Sequence, residues 1–341
     1  MTIIPKRQYI FWYLTINTIL VAALFSNAVK AQTAISGDSN IHLADPSLLY
    51  HKGVYYLYGT VEGSANNGFI AYTSADRVYW QKDTSNTNGY ALSKGDAFGN
   101  ANFWAPQVFK IGEQFYMAYT ADENIAIAQS RSPAGPFTQK LLQPLAAPVK
   151  QIDPFVFIDD DGRKYLYHVR LTNGNRIFVA ELEDDLAAIK FSTLKECITA
   201  TETWENTANS AWPVAEGPSL LKYHNIYYLF YTANDFRNPD YAVGYATSNS
   251  PLGPWKKYAG NPIISREIVG VNGTGHGDFL KMPNGDLQYV FHAHFSDKRV
   301  APRRTVIIKA RFMKSDAGVD KLVIDKTSFQ FLLSAKHDHK L

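Results

Sequence analysis

Ala44-Asp45-Pro46-Ser47-Leu48-Leu49-Tyr50, followed by GVYYLYGT (53–60) and FIAYTS (69–74), decides how this chain is read, because the same phrase returns four more times. The second copy is Ala105-Pro106-Gln107-Val108-Phe109 with QFYMAYTA and IAIAQS, and the third is Asp153-Pro154-Phe155-Val156-Phe157 with RKYLYHVR and RIFVAEL. The fourth is Glu216-Gly217-Pro218-Ser219-Leu220-Leu221 with NIYYLFYTA and YAVGYATS, and the fifth is His276-Gly277-Asp278-Phe279-Leu280 with LQYVFHAH and TVIIKARF. The copies start at 45, 105, 153, 216 and 276. A repeat of this length, built of three or four short strands, cannot bury its own faces and needs neighbours on both sides. Five of them predict an all-β, five-bladed β-propeller.

The strand reading rests on local chemistry. Runs such as VYYLYGT and IYYLFYT are short, rich in Tyr and Phe, and bounded by Gly, Asn, Asp or Pro, whereas helical periodicity is nearly absent. Turn signals fall where the first strand must fold back on the second: His51-Lys52-Gly53, Ile111-Gly112-Glu113, Asp160-Asp161-Gly162, His224-Asn225 and Pro283-Asn284-Gly285. Two copies end on matching corners, Ser132-Pro133-Ala134-Gly135-Pro136-Phe137 and Ser250-Pro251-Leu252-Gly253-Pro254-Trp255. Asp159-Asp160-Asp161-Gly162 opens like a calcium loop but lacks the distal glutamate, so it reads as a hairpin turn. Asn272-Gly273-Thr274 is a glycosylation sequon by pattern and reads as loop.

Bulk properties narrow the function. Lys6 and Arg7 precede an apolar run from Tyr9 to Phe25, and Val29-Lys30-Ala31 supplies small residues for a cut after Ala31. Residues 1–31 therefore read as an export signal, with 32–341 as a single propeller domain and a periplasmic or secreted product. The rival is a retained membrane anchor, which Thr15, Asn17 and Thr18 interrupt. The lone Cys197 excludes an internal disulfide and a cysteine zinc cluster, and reads as a small apolar residue. A net charge of +3 without a basic run points to neither nucleic acid nor, after cleavage, membrane as partner.

The chemistry lies at the strand starts. In a propeller the first strand of each copy runs along the axis, so residues opening those strands converge on one end of the channel. Asp45, Asp153 and Glu216 open copies one, three and four, each followed at once or one residue later by a proline. Facing carboxylates suit cleavage of a glycosidic bond: one, protonated, donates to the leaving oxygen, and one, ionised, activates water or attacks carbon. A third acid raises the donor's pKa or holds it in place. The plain alternative, Asp capping a turn before Pro, explains one such residue better than three in register.

ADPSLLYHKGVYYLYGT, QIDPFVFIDDDGRKYLYHV and AEGPSLLKYHNIYYLFYTA resemble the three acidic motifs of glycoside hydrolase family 43, across essentially the whole mature chain. The resemblance implies a five-bladed inverting hydrolase of plant polysaccharides. It also implies Asp45 as general base, Glu216 as general acid and Asp153 as the residue that tunes and orients the acid. His276 resembles a family histidine that faces the channel and helps hold a hydrated calcium ion; a buried, hydrogen-bonded histidine is the other reading. The segment from Phe291-His292-Ala293-His294 through Pro302-Arg303-Arg304 resembles the one whose arginine reaches the sugar, and strand alternation lets only one of Arg303 and Arg304 face inward.

Trp104, at the pocket end of copy two, offers an aromatic face for a sugar ring, against a plain rim or core tryptophan. Trp204, Trp212, Asn234, Asp235 and Phe236 are further candidates for an outer subsite. The expected enzyme is an exo-acting α-L-arabinofuranosidase on glycans containing arabinose or xylose. β-Xylosidase, endo-arabinanase and galactan-degrading activities are the alternatives. No length remains after copy five for the β-sandwich that many family β-xylosidases carry. Retaining, invertase-like relatives show Asn-Asp-Pro, Arg-Asp-Pro and Glu-Cys motifs, whereas Ala44 and Ile152 precede the acids here. A propeller that only binds sugar has no need of a proton donor beside a base.

Overall fold

In the computed structural model, residues 39–282, 285–315 and 318–335 are described; the expected export signal and part of the Pro283-Asn284-Gly285 turn lie outside them. Asn40–Leu341 forms one compact unit. Its strands make five blade sheets, as the repeat predicts, and a two-stranded ribbon of Gly68–Phe69 with Leu92–Ser93. Blade one comprises Leu43–His51, Val54–Val61, Tyr72–Ser74 and Tyr79–Lys82. Blade two has Trp104–Ile111, Gln114–Ala121 and Asn124–Ser130, and blade three has Gln151–Ile158, Lys164–Leu171, Asn175–Glu181 and Lys195–Ile198. Blade four has Ala215–Tyr223, Ile226–Ala233, Ala242–Ser248 and Lys256–Lys257; blade five has Gly275–Lys281, Leu287–Ala293, Arg304–Met313 and Lys321–Phe331. Leu333–Ser334 then crosses to pair parallel with Tyr79 and Trp80 of blade one, which closes the ring. Among the described residues no helix is long and apolar enough to cross a membrane.

The core is divided among the five gaps between blades. Tyr228 and Phe230 face blade five, while the alternating Leu229 and Tyr231 face blade three. A strand with a neighbour on both faces must be apolar on both, which is why these runs do not alternate with polar residues. The matching corners have a shared use: Tyr58 of blade one donates its hydroxyl to Pro133 O at 2.5 Å, and Tyr167 of blade three does the same to Pro251 O at 2.5 Å. Asp159 stabilises the same gap between blades three and four, accepting from Lys222 and Tyr227 of blade four. The Asp159–Arg163 segment is the hairpin turn expected of it. Cys197 sits in the outermost strand of blade three, half-buried, where burial pushes its thiol pKa up and away from reactivity.

Every innermost strand carries a bulge where it meets the axis. The pairing slips between Ala44 and Ser47, Trp104 and Gln107, Ile152 and Phe155, Glu216 and Ser219, and Gly275 and Asp278. At each slip one residue takes a positive φ: Asp45, Ala105, Asp153, Gly217 and His276. The bulge re-aims one side chain per blade toward the axis. It also corrects the sequence register: Glu216 does not match Asp45 and Asp153 but stands one residue earlier, level with Trp104.

Candidate active site

The five bulges are braced to one another by side chains from the second strands. Thr60 Oγ1 accepts the Ala105 N–H at 3.0 Å, Thr120 Oγ1 the Asp153 N–H at 2.9 Å, and Thr232 Oγ1 the His276 N–H at 2.8 Å. From blade five, His292 Nδ1 accepts the Asp45 N–H at 3.1 Å. Blade three has Val169 in the corresponding place, and there the Asp153 carboxylate itself accepts the Gly217 N–H at 3.2 Å. The backbone that presents the acids is thereby fixed all round the ring. Gly217 is required where it stands, because a Cβ would lie 2.8 Å from the His276 ring.

Asp45 is buried among polar neighbours. Thr60 donates to Oδ2 at 2.6 Å, and Arg303 Nη1 lies 3.3 Å from Oδ1, with Nδ1 of His276 and of His292 each also at 3.3 Å. Burial opposes its ionisation, but the Arg303 guanidinium, the strongest of the opposing influences, prevails and holds the carboxyl well below the usual carboxylate range. Both imidazoles are kept neutral by burial, His292 with a pKa of about 3. Arg303 is in turn fixed by Glu62 at 2.6 Å and lies over the Phe236 ring at 4.6 Å.

Glu216 sits in the opposite electrostatic setting. Burial raises its pKa to about 7, against the opposing effect of two hydrogen bonds: Tyr241 Oη donates to Oε1 at 2.9 Å and Asn175 Nδ2 to Oε2 at 2.8 Å. Asp153 is also pushed well above its ordinary value, by burial and then by the charges of Glu216 and Asp45. Like charges crowded into a dry site cannot all ionise. Asp45 is thus the carboxylate, while Glu216 and Asp153 keep their protons to higher pH than an ordinary carboxyl. This is the division that general acid–base cleavage requires.

The structure brings together Asp45, Asp153, Glu216, His276 and Arg303. It turns Arg304 away, with Nε on His294 O at 3.3 Å and its guanidinium over Phe331 at 3.8 Å, so the expected substrate contact by Arg304 is corrected. Alternation along the strand sends the two arginines to opposite faces. Trp104 is half-buried, and by register on the same side of its blade as Glu216. Trp204 is used in packing, with its ring on Tyr231 and against Gly244. Asn234 stitches two loops through Thr207 and the Trp204 and Asp240 carbonyls, and Asp235 pairs with Arg237. Phe236 and Trp212 remain exposed near the acids.

Sequence reading missed Glu62, Asn175, Tyr241 and His292. The signal for the braces was present: Thr60, Thr120 and Thr232 end the second strand in three copies, and His292 takes that place in the fifth. Calcium takes six to eight oxygen ligands. Among the described residues no group of three or more His, Cys, Asp or Glu side chains could hold an ion, and His276 Nδ1 faces Asp45 and Asp153 instead. The residues present do not form a protein cage for calcium.

A five-bladed propeller with three buried carboxyls in contrasting electrostatic settings at its axis is suited to cleaving glycosidic bonds. The sequence model of glycosyl hydrolases family 43 matches residues 39–317, and the chain belongs to that family. A crystal structure of an endo-1,4-β-xylanase from Bacteroides thetaiotaomicron is 42% identical with a TM-score of 0.79, over 87% of this chain and 99% of that one. A β-D-galactofuranosidase of Aspergillus niger is 26% identical over 81% of this chain and 80% of its own length. An arabinoxylan arabinofuranohydrolase of Bacillus subtilis is 28% identical over 84% and 61%.

Proposed function

We propose that this chain is an exported, inverting, exo-acting α-L-arabinofuranosidase that removes arabinose from plant cell-wall glycans. The observation that carries the mechanism is the contrasting setting of two buried carboxyls at one axial site: Asp45 lies 3.3 Å from the Arg303 guanidinium, which favours its ionised form, whereas Glu216 has only the neutral donors Tyr241 and Asn175, and burial raises its pKa to about 7. Asp45, as general base, takes a proton from water as it attacks the anomeric carbon. Glu216 gives its proton to the departing oxygen, so the attacking oxygen and the leaving group occupy opposite faces of the sugar. Asp153 accepts the N–H of the residue after the donor and so orients it. Arg303 steadies Asp45 and offers guanidinium N–H groups to sugar hydroxyls.

The choice of arabinose is supported by the Bacillus subtilis relative, an arabinoxylan arabinofuranohydrolase. A xylan-cleaving or β-xylosidase activity is the second reading, favoured by the 42% identity to an endo-1,4-β-xylanase structure. Hydrolysis of nitrophenyl α-L-arabinofuranoside, nitrophenyl β-D-xyloside, linear arabinan and galactan separates these; refusal of all four sinks both. NMR of the first-formed product tests inversion, and a retained anomer overturns the roles of Asp45 and Glu216. Export is supported by the charged and apolar composition of residues 1–31 and is tested by N-terminal sequencing of the mature product. A calcium ion at this site would be held by the His276 imidazole and water. A chelator that leaves the melting temperature unchanged removes it from the proposal.

A further inference from the structure

Between the proton donor and the pocket mouth runs a short chain of hydrogen bonds that the reaction above does not use. Trp212 donates its indole N–H to Asn175 Oδ1 at 2.9 Å, and Asn175 Nδ2 donates to Glu216 Oε2 at 2.8 Å. The Asn175 backbone is pinned as well: its N–H donates to Pro213 O at 2.9 Å and it bridges to Val214, within the same loop that carries Trp212 toward Glu216. Trp212 is 47% exposed, which leaves part of its indole open to a ligand while the N–H is held by Asn175. The side of the pocket it occupies is chemically defined. Glu216 must protonate the leaving oxygen, so the ring bearing that oxygen lies on the Glu216 side and away from Asp45.

We propose that Trp212 is the platform for the sugar ring of the leaving group, and that Asn175 is the positioning residue that ties this platform to the donor. The inference rests on the glycosidase reading and deepens it by naming the subsite. The indole face takes the apolar side of a furanose or pyranose. Asn175 holds the carboxyl at a fixed distance from that face, so that seating the leaving sugar and aiming the proton depend on the same amide.

The test compares two substrates of whichever glycosyl unit the full-length enzyme accepts: a disaccharide, and the glycosyl fluoride, whose leaving group has no ring and needs little protonation. Trp212→Ala is expected to raise KM for the disaccharide roughly tenfold and leave the fluoride unchanged. Asn175→Ala is expected to lower kcat for the disaccharide roughly tenfold with KM little changed, and again to spare the fluoride. Trp212→Phe, which keeps a ring but not the N–H, retains KM and loses part of kcat. Equal losses on both substrates would mean that the loop is merely structural and would overturn the inference, as would no loss on either. A wild-type enzyme inert toward every glycoside is a separate result: it removes the underlying reading and this one with it.

Discussion

Blades two and four reach the axis on the same backbone. Trp104 and Glu216 pair with Thr120 and Thr232, the next residues, Ala105 and Gly217, both take positive φ, and a proline follows each. In one blade the position before the bulge carries an aromatic ring; in the other it carries the candidate proton donor. The scaffold is thus indifferent to the chemistry it presents. What makes Glu216 an acid is its surroundings: burial first, then the charges of Asp45 and Asp235, which together outweigh the Tyr241 and Asn175 donors that favour the ionised form.

Substitutions at equivalent positions should therefore have unequal effects. Glu216→Gln should lower kcat on unactivated glycosides by about 10²–10⁴-fold, measured under saturating substrate; a loss confined to KM would break the contrast. Gly217→Ala should cost about 1–3 kcal/mol in denaturant unfolding, because its Cβ meets the His276 ring, whereas Ala105→Gly should change stability by less than about 1 kcal/mol. Next in size is a pH effect. Glu216 works protonated, so kcat/KM should fall as pH rises through about 7, while Asp45, held low, keeps the acid side active well below the usual carboxylate range. Tyr241→Phe removes a donor that favours the ionised acid, so the basic limb should move upward by roughly one pH unit; a downward move would contradict the assignment. Least of all, Trp104→Ala should raise KM by roughly tenfold or less and leave kcat alone, as read from initial rates.

The fold was legible because a five-fold repeat imposes one pattern on strand length, turn residues and aromatic placement. Asp45 and Asp153 were legible because proline marks the bulge after each. Glu216 was found by likeness yet misregistered by one residue, since both Glu216 and Gly217 precede Pro218 at spacings a linear reading treats as equivalent. The choice between Arg303 and Arg304 depends on where one strand begins its alternation, which is a matter of pairing. Asn175 and Tyr241 were invisible for a different reason. Each reaches Glu216 from a third strand, Asn175 from that of blade three and Tyr241 from the edge of that of blade four, and no local pattern reports contacts made across a loop or between sheets.

The missing threonine in blade three has a consequence for anyone redesigning this enzyme. With Val169 unable to accept a hydrogen bond, Asp153 acts as both a joist and an electrostatic partner. Replacing it alters two things together, the angle at which the fourth sheet begins and the carboxyl that stands beside its neighbour. Installing a hydroxyl at 169 would hand the mechanical duty back to the wall, and the acid could then be varied for its chemistry alone.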